Sequence, residues 1–250
     1  MVHLDTVGST NDHARMLAAA GAPDGTVVIA EEQTAGRGRQ GRSWTAPRGR
    51  TLTVSIVRRL GSEMGTDRLE LLPLAVALAV ADACEAVAPV SCRIKWPNDV
   101  CIDGRKVAGI LIESRSRDRW AVIGIGLNVD TDEGELAPDL LATATSLRIA
   151  SRSSIDRDRA LAALLGALGA RLRELERTSP DALLAAYRER DLLRGRRISW
   201  LTGDRRLVGE AQGIDERGNL IVFTDTDERL TLSSGEVHLE LENGGGVSSR

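Results

Sequence analysis

The chain has 250 residues, of which 42% are hydrophobic and 28% charged, with a formal net charge of −3. That length supports one large domain with a good core plus a small appendage, and the composition excludes a disordered chain. The longest apolar run, 71–84, is short and interrupted by Pro73 and Asp82, no basic-then-apolar leader opens the chain, and three cysteines without CxxC spacing argue against a disulfide framework or structural zinc, so a cytoplasmic protein is expected.

Taken in order, Leu4 to Val7 reads as a short strand leading into a helix. Ser9 or Thr10 is its N-cap, Ala14, Leu17 and Ala18 are its buried side, and Gly21 and Pro23 end it. Capping alone would account for both hydroxyls, yet a helix start with free backbone donors also suits a polar ligand head group. Residues 26–31 form a strand that delivers Gln33 and then the stretch Thr34-Ala-Gly-Arg-Gly-Arg-Gln-Gly-Arg-Ser-Trp44. Between Gln33 and Ser62 lie seven arginines and no acidic residue, although the whole chain is slightly acidic. Two guanidinium groups roughly 6 Å apart repel by about 3 kcal/mol at an effective dielectric near 20. Charge-assisted hydrogen bonds to an anion return about 1.5–3 kcal/mol each. The loop is therefore expected to be mobile when empty and ordered over an anionic ligand.

The spacing Gly36-Arg-Gly38-Arg-Gln-Gly41 also matches GxGxxG, but a dinucleotide fold needs a helix to open at the third glycine. Here Pro47, Gly49 and a β-branched strand over 51–57 follow instead, so that reading is rejected. Residues 67–88 are expected to form an Ala/Leu-rich helix covering the sheet. The segments 94–100 and 106–113 read as a hairpin turning at Asp103-Gly104. Trp120 to Val129 is a further strand, in which Gly124 and Gly126 let something approach the backbone. Residues 130–154 are loop-like, helices follow at about 156–177 and 180–191, and short strands separated by turns suggest a small β-barrel after Arg197. The expected domains are 1–192, 193–242 and a disordered tail at 243–250.

The chain carries 33 basic side chains, of which only Lys95 and Lys106 are lysines. Against such an arginine background, a lysine marks a place that needs a compact ammonium rather than a planar fork.

The motifs Gly-Arg-Gly-Arg-Gln-Gly-Arg-Ser-Trp (36–44), Lys-Trp-Pro-Asn-Asp (95–99), Lys-Val-Ala-Gly-Ile (106–110), Gly-Leu-Asn (126–128) and Ser-Thr-Asn (9–11) together resemble the biotin protein ligases. The resemblance covers essentially the whole chain. It implies an α+β fold: a mixed sheet packed with helices, like class II synthetase catalytic domains, followed by an SH3-like β-barrel. It implies that biotin and Mg-ATP give biotinyl-5′-adenylate, which a lysine of a biotin carboxyl carrier protein then attacks. By the same resemblance Ser9, Thr10, Asn11, Gln33 and Gly109 surround biotin. Arg37, Gly38 and Arg39 fold over the phosphate and the biotin carboxyl, and Lys106 neutralises charge in the transition state. Trp44, Asn128 and Arg42 lie at the adenine end. Lys95 belongs to the motif whose Asp99 orients Mg or the acceptor lysine, although a hairpin-shaping turn with a local ion pair would explain the same residues. The catalytic region begins within the first ten residues, so a ligase without a DNA-binding repressor domain is expected, as a monomer or weak homodimer, with no membrane and no nucleic-acid partner. A lipoate or octanoate transferase is the same-fold alternative, but the Arg-Arg-x-x-Gly-Gly-Gly type of motif is absent. A nucleic-acid-binding protein is disfavoured by the net charge and the shortage of aromatics.

Overall fold

The computed structural model describes residues 1–61, 66–115, 119–202 and 205–240. Seven strands form one sheet: β1 (Val2–Val7), β2 (Val27–Gln33), β3 (Thr51–Arg59), β4 (Cys92–Lys95), β5 (Asp99–Ile102), β6 (Arg105–Arg115) and β7 (Trp120–Asn128). Their order is β1-β2-β3-β7-β6-β5-β4. β1 and β2 run parallel and the other neighbours antiparallel, so the sheet is mixed, as expected.

Period-two alternation decides what each face does. On β3 and β7, Leu52, Val54, Ile56, Ala121, Ile123, Ile125 and Leu127 belong to the main core with α3 (Leu72–Val87), whose Leu74, Val76, Leu78 and Val80 are all buried. Each such side chain contributes about 1.5–3 kcal/mol on burial. α5 (Arg157–Arg177) and α6 (Pro180–Arg190) add Leu164, Leu168, Leu183 and Leu184 to that core, and their N-caps are Asp156 and Ser179. The opposite face is divided. At one end Val57, Trp120 and Val122 pack under Ala14 and Ala18 of α1 (Thr10–Ala19). At the other end the same face carries Thr51, Thr53, Ser55, Gly124, Gly126 and Asn128, which offer no apolar surface for a helix. α1 therefore covers half of the face, and the bare half forms the floor of a cleft.

Several expectations are corrected. The helix over 67–88 is two, α2 (Thr66–Glu70) and α3, because Pro73 in the first turn of α3 has no N–H to continue a ladder from the preceding helix. The single hairpin is two hairpins sharing β5, one turning at 96–98 and the other at Asp103-Gly104, where φ is 50° and 76°. The segment 130–154 includes the short helix α4 (Leu147–Ser151). The terminal strands β8 (Arg197–Thr202), β9 (Arg205–Ile214), β10 (Leu220–Thr224), β11 (Arg229–Leu232) and β12 (Val237–Leu239) form an antiparallel sheet in the order β11-β10-β9-β8-β12. Among the described residues no pairing of β11 with β12 closes it into the expected barrel. It has no need to close on itself, because Ile198, Trp200, Leu220, Val222 and Val237 join the main core. Trp96 Nε1 adds a hydrogen bond to the Gly218 carbonyl at 2.9 Å. The expected tail at 243–250 lies outside the described residues.

Candidate active site

A single cleft of about 1130 Å³ occupies the bare half of the sheet, and every site residue proposed from the sequence lines it. The flap that covers it is folded on itself. The N–H of Gly38 donates to the Arg42 carbonyl at 2.7 Å, that of Trp44 to Gly36 at 2.9 Å, and a 3₁₀ turn spans Arg39–Gly41. The repulsion between arginines, from which a loop mobile when empty was expected, is offset in part by carboxylates from distant elements. Arg37 Nη2 donates to Asp12 Oδ1 at 2.7 Å and to Glu113 Oε2 at 2.8 Å, and Arg42 Nη1 donates to Glu236 Oε1 at 2.6 Å. Four further arginines of the basic stretch leave the site altogether. Arg48 pairs with Asp5 and Glu32, Arg50 with Asp130 and Glu135, and Arg58 with Asp24 and Glu176, while Arg59 donates to the Ala18 and Ala22 carbonyls.

The glycines of β7 admit the protein's own side chains. A Cβ on Gly126 would lie 2.3 Å from Trp44 Cε2, so the indole lies directly on the strand, with Lys106 Nζ 5.7 Å from its ring centre. A Cβ on Gly124 would lie 2.1 Å from Asn11 Oδ1. Gly126→Ala is accordingly expected to lift Trp44 off the strand and to destabilise the fold by about 1–3 kcal/mol, the usual range for overpacking. Thermal unfolding of the variant against the wild type checks this.

At the α1 end, Gln33 Oε1 accepts from Thr10 N at 2.8 Å and lies 3.0 Å from Thr10 Oγ1. Ser55 Oγ sits 2.8 Å from Thr10 Oγ1 and 2.6 Å from Asn11 Oδ1. Asn11 Nδ2 donates to Glu113 Oε2 at 2.9 Å and to the Leu111 carbonyl at 3.3 Å. Ser9 is the N-cap residue of α1 but makes no side-chain cap bond. The amide of Asn11, expected to touch a ligand, is engaged entirely by protein.

Charge gathers at the centre. β6 reaches it through a bulge: Val100 pairs with Ala108 and Cys101 with Lys106, so Val107 is the extra residue. Val107 and Ala108 both enter the core, and Lys106 is turned to the cleft face beside Gly109. Lys106 Nζ lies 2.7 Å from Asp99 Oδ1, and Lys95 is the register partner of Asp99. Arg39 Nη1 donates to Asn98 Oδ1 at 3.1 Å, and among the described residues no carboxylate pairs with it directly. Burial holds the Arg39 guanidinium below its ordinary value, with Asp99 drawing it the other way. Asn128 Nδ2 donates to the Thr145 carbonyl at 3.0 Å, and among the described residues no group donates to its oxygen. Burial, with Asp99 nearby, pushes the Cys101 thiol in the cleft wall up to about 12, so it stays protonated at neutral pH and is no nucleophile.

Some residues of the site had escaped the sequence reading. Ser55 and Glu113, which hydrogen-bond Asn11 without lining the cleft, looked like ordinary strand residues. Leu136, Leu140 and Thr143 come from the segment read only as a loop, which is tied down where Lys106 N donates to the Thr143 carbonyl at 2.8 Å. Glu236 and His238 reach the cleft from the terminal sheet, which no local pattern announces.

Comparison with known proteins agrees with this geometry. The model of the biotin/lipoate A/B protein ligase family matches residues 5–130, and that of the biotin protein ligase C-terminal domain matches 194–239. The chain is similar to the biotin--[acetyl-CoA-carboxylase] ligase of Mycobacterium tuberculosis, 40% identical over 92% of this chain and 85% of that one. It is also similar to the bifunctional ligase/repressor BirA of Bacillus subtilis, 32% identical over 90% of this chain and 70% of that one. Its fold is similar to that of the Aquifex aeolicus biotin protein ligase solved in complex with biotin and ATP, with a TM-score of 0.82 and 28% identity over 96% and 97% of the two chains. With these matches spanning both the cleft-bearing sheet and the terminal sheet, the chain belongs to the biotin/lipoate A/B protein ligase family and is a biotin protein ligase.

Proposed function

We propose that biotin enters beside Ser9, Thr10 and Gln33, that ATP lies over Trp44 toward Asn128, and that the bond between them forms at Arg39 and Lys106. The observation that carries this reading is the convergence of Arg39, Lys95 and Lys106 around one carboxylate, Asp99, under a flap whose other arginines are already paired. A cleft with that surplus attracts an anion. The biotin carboxylate attacks the α-phosphorus of ATP, forming the mixed anhydride and releasing pyrophosphate. Lys106 and Arg39 offset the charge that grows on the phosphoryl oxygens. Holding both substrates in one cleft supplies effective molarities of about 10⁵ M or more. The flap then shields the adenylate from water until an acceptor lysine attacks its carbonyl and AMP leaves.

A resident magnesium does not fit the protein's own side chains. Asp99 is engaged by Lys106, and among the described residues no group of three His, Cys, Asp or Glu side chains can hold a metal. Magnesium therefore enters with the nucleotide, as Mg-ATP, held mainly by phosphate oxygens and water.

The acceptor is a biotin carboxyl carrier domain, and the need for ATP fits a cytoplasmic site of action. No helix among the described residues is long and apolar enough to cross a membrane. We read 1–192 as the catalytic unit and 193–242 as a unit that reaches the flap through Glu236. Incubation with ATP, biotin and a purified carrier domain, followed by avidin detection, is expected to show labelling that lipoate does not replace. Transfer of lipoate without transfer of biotin would reverse the assignment.

A further inference from the structure

The terminal sheet approaches the cleft by a buried route as well as through the exposed Glu236–Arg42 pair. Between β9 and β10 the chain turns at 215–218, where Asp215 Oδ1 accepts from the Arg217 and Asn219 N–H groups, each at 2.9 Å, and Oδ2 from Asn219 Nδ2 at 3.0 Å. Gly218 closes the turn at φ 79°, a left-handed conformation that favours glycine. The same glycine is pressed into the main core: a Cβ there would lie 2.8 Å from Leu74 Cδ1 and 3.2 Å from Leu71 Cδ2. That close seat puts its carbonyl 2.9 Å from the buried Trp96 Nε1, which donates to it.

Trp96 opens the three-residue turn between β4 and β5, and Asn98 closes it. β4 is a four-residue strand at the edge of the sheet, so the turn needs anchors beyond ladder bonds. Trp96 anchors one end in the core. At the other end Asn98 Nδ2 donates to the Ile110 carbonyl at 2.7 Å, and the Ile110 N–H to the Asn98 carbonyl at 3.1 Å. These bonds fix the orientation of the amide, so that Asn98 Oδ1 accepts from Arg39 Nη1 at 3.1 Å. Trp96 and Gly218 line no part of the cleft, whereas Asn98 and Arg39 both do.

We propose that Trp96, seated on Gly218 of the terminal sheet, is a positioning residue that keeps Asn98 in place for Arg39, and that through Arg39 it sets how long the adenylate stays in the cleft. This rests on the reading that Arg39 meets the acyl phosphate. Displacing the turn by about 1 Å takes Asn98 Oδ1 out of hydrogen-bond range of Arg39. Misplacement on that scale, even from a change far from the chemistry, is enough to lose large factors in rate.

The test is a double-mutant cycle on the adenylate off-rate, measured in single-turnover experiments without acceptor for the wild type, Trp96→Phe, Arg39→Ala and the double variant. Phenylalanine keeps an aromatic ring in the core and removes the donor. A neutral hydrogen bond is worth about twofold to tenfold in an equilibrium, so Trp96→Phe is expected to raise the off-rate by about threefold to tenfold. In the Arg39→Ala background the same change is expected to add no more than about 1.5-fold, because the residue it acts through is gone. Destabilisation alone would multiply with Arg39→Ala and show no such coupling. Gly218→Ala, which moves the seat rather than the indole, is expected to show the same dependence on Arg39, and it takes the place of Trp96→Phe if that variant does not fold. An off-rate unchanged in the folded variant, or raised by the same factor in both backgrounds, would overturn the proposal. If Arg39→Ala itself leaves the off-rate unchanged, the reading of Arg39 falls and the proposal with it.

Discussion

Lys106→Arg is expected to keep the fold and to lose at least about a hundredfold in the rate of biotin adenylation. The fold survives because the Lys106–Asp99 pair is partly exposed, and pairs of that kind contribute only about 0.2–1 kcal/mol. The chemistry does not survive, because the space is cut for an ammonium. Lys106 Cε and Nζ lie 3.0 Å from where a Cβ on Gly109 would stand, its nitrogen is 2.7 Å from Asp99, and the Trp44 ring closes the third side. A planar guanidinium is longer and fixed in shape, so it must either part from Asp99 or push against the indole. Either displacement moves the charge away from the place that the proposed reading gives to the phosphoryl oxygens. Loss of one such preorganised donor typically costs about 10²–10³ in rate. Pyrophosphate exchange together with thermal unfolding checks this. Near-normal exchange by the variant would mean that any positive charge at that position suffices.

The contrast between lysine and arginine was legible before any geometry, because the chain keeps only two lysines and both line the cleft. Strong alternation on β3 and β7 likewise identified the strands and, through Gly124 and Gly126, a place of close approach. What approaches was not legible: the pattern could not tell a ligand from Trp44 and Asn11. The basic stretch was misjudged for a similar reason. Local composition counts arginines, whereas Asp5, Asp24, Asp130 and Glu176, which neutralise Arg48, Arg50 and Arg58, come from distant parts of the chain. Ser55 and Glu113 carry no motif, and they matter only because register sets Ser55 opposite Gly124, where Asn11 enters. The bulge at Val107 is equally silent in the sequence, yet it decides which face Lys106 occupies.

Arg39→Gly is expected to slow adenylation and, once the adenylate has formed, to release it into solution, where it labels bystander lysines. Arg37 and Arg42 are held by carboxylates of α1, β6 and the terminal sheet, so the flap stays anchored on both sides without Arg39. Arg39 itself is held by a neutral partner, Asn98 Oδ1, in a position where burial disfavours its charge. An anion in the cleft relieves that condition, which makes Arg39 the flap residue that gains most when the adenylate forms. Charge-assisted hydrogen bonds contribute about 1.5–3 kcal/mol each, so losing one accelerates release by roughly tenfold to a hundredfold. The added glycine weakens the 3₁₀ turn by a further 0.5–1 kcal/mol or so, which Arg39→Ala avoids, and the two variants together separate loss of charge from loss of order. Adenylate off-rates in single-turnover experiments, read alongside labelling of a bystander protein, decide the matter. If charge retention is what counts, Arg39→Lys restores part of the retention and Arg39→Ala none. An off-rate unchanged in all three variants would mean that the flap holds the adenylate through its backbone and Trp44 alone.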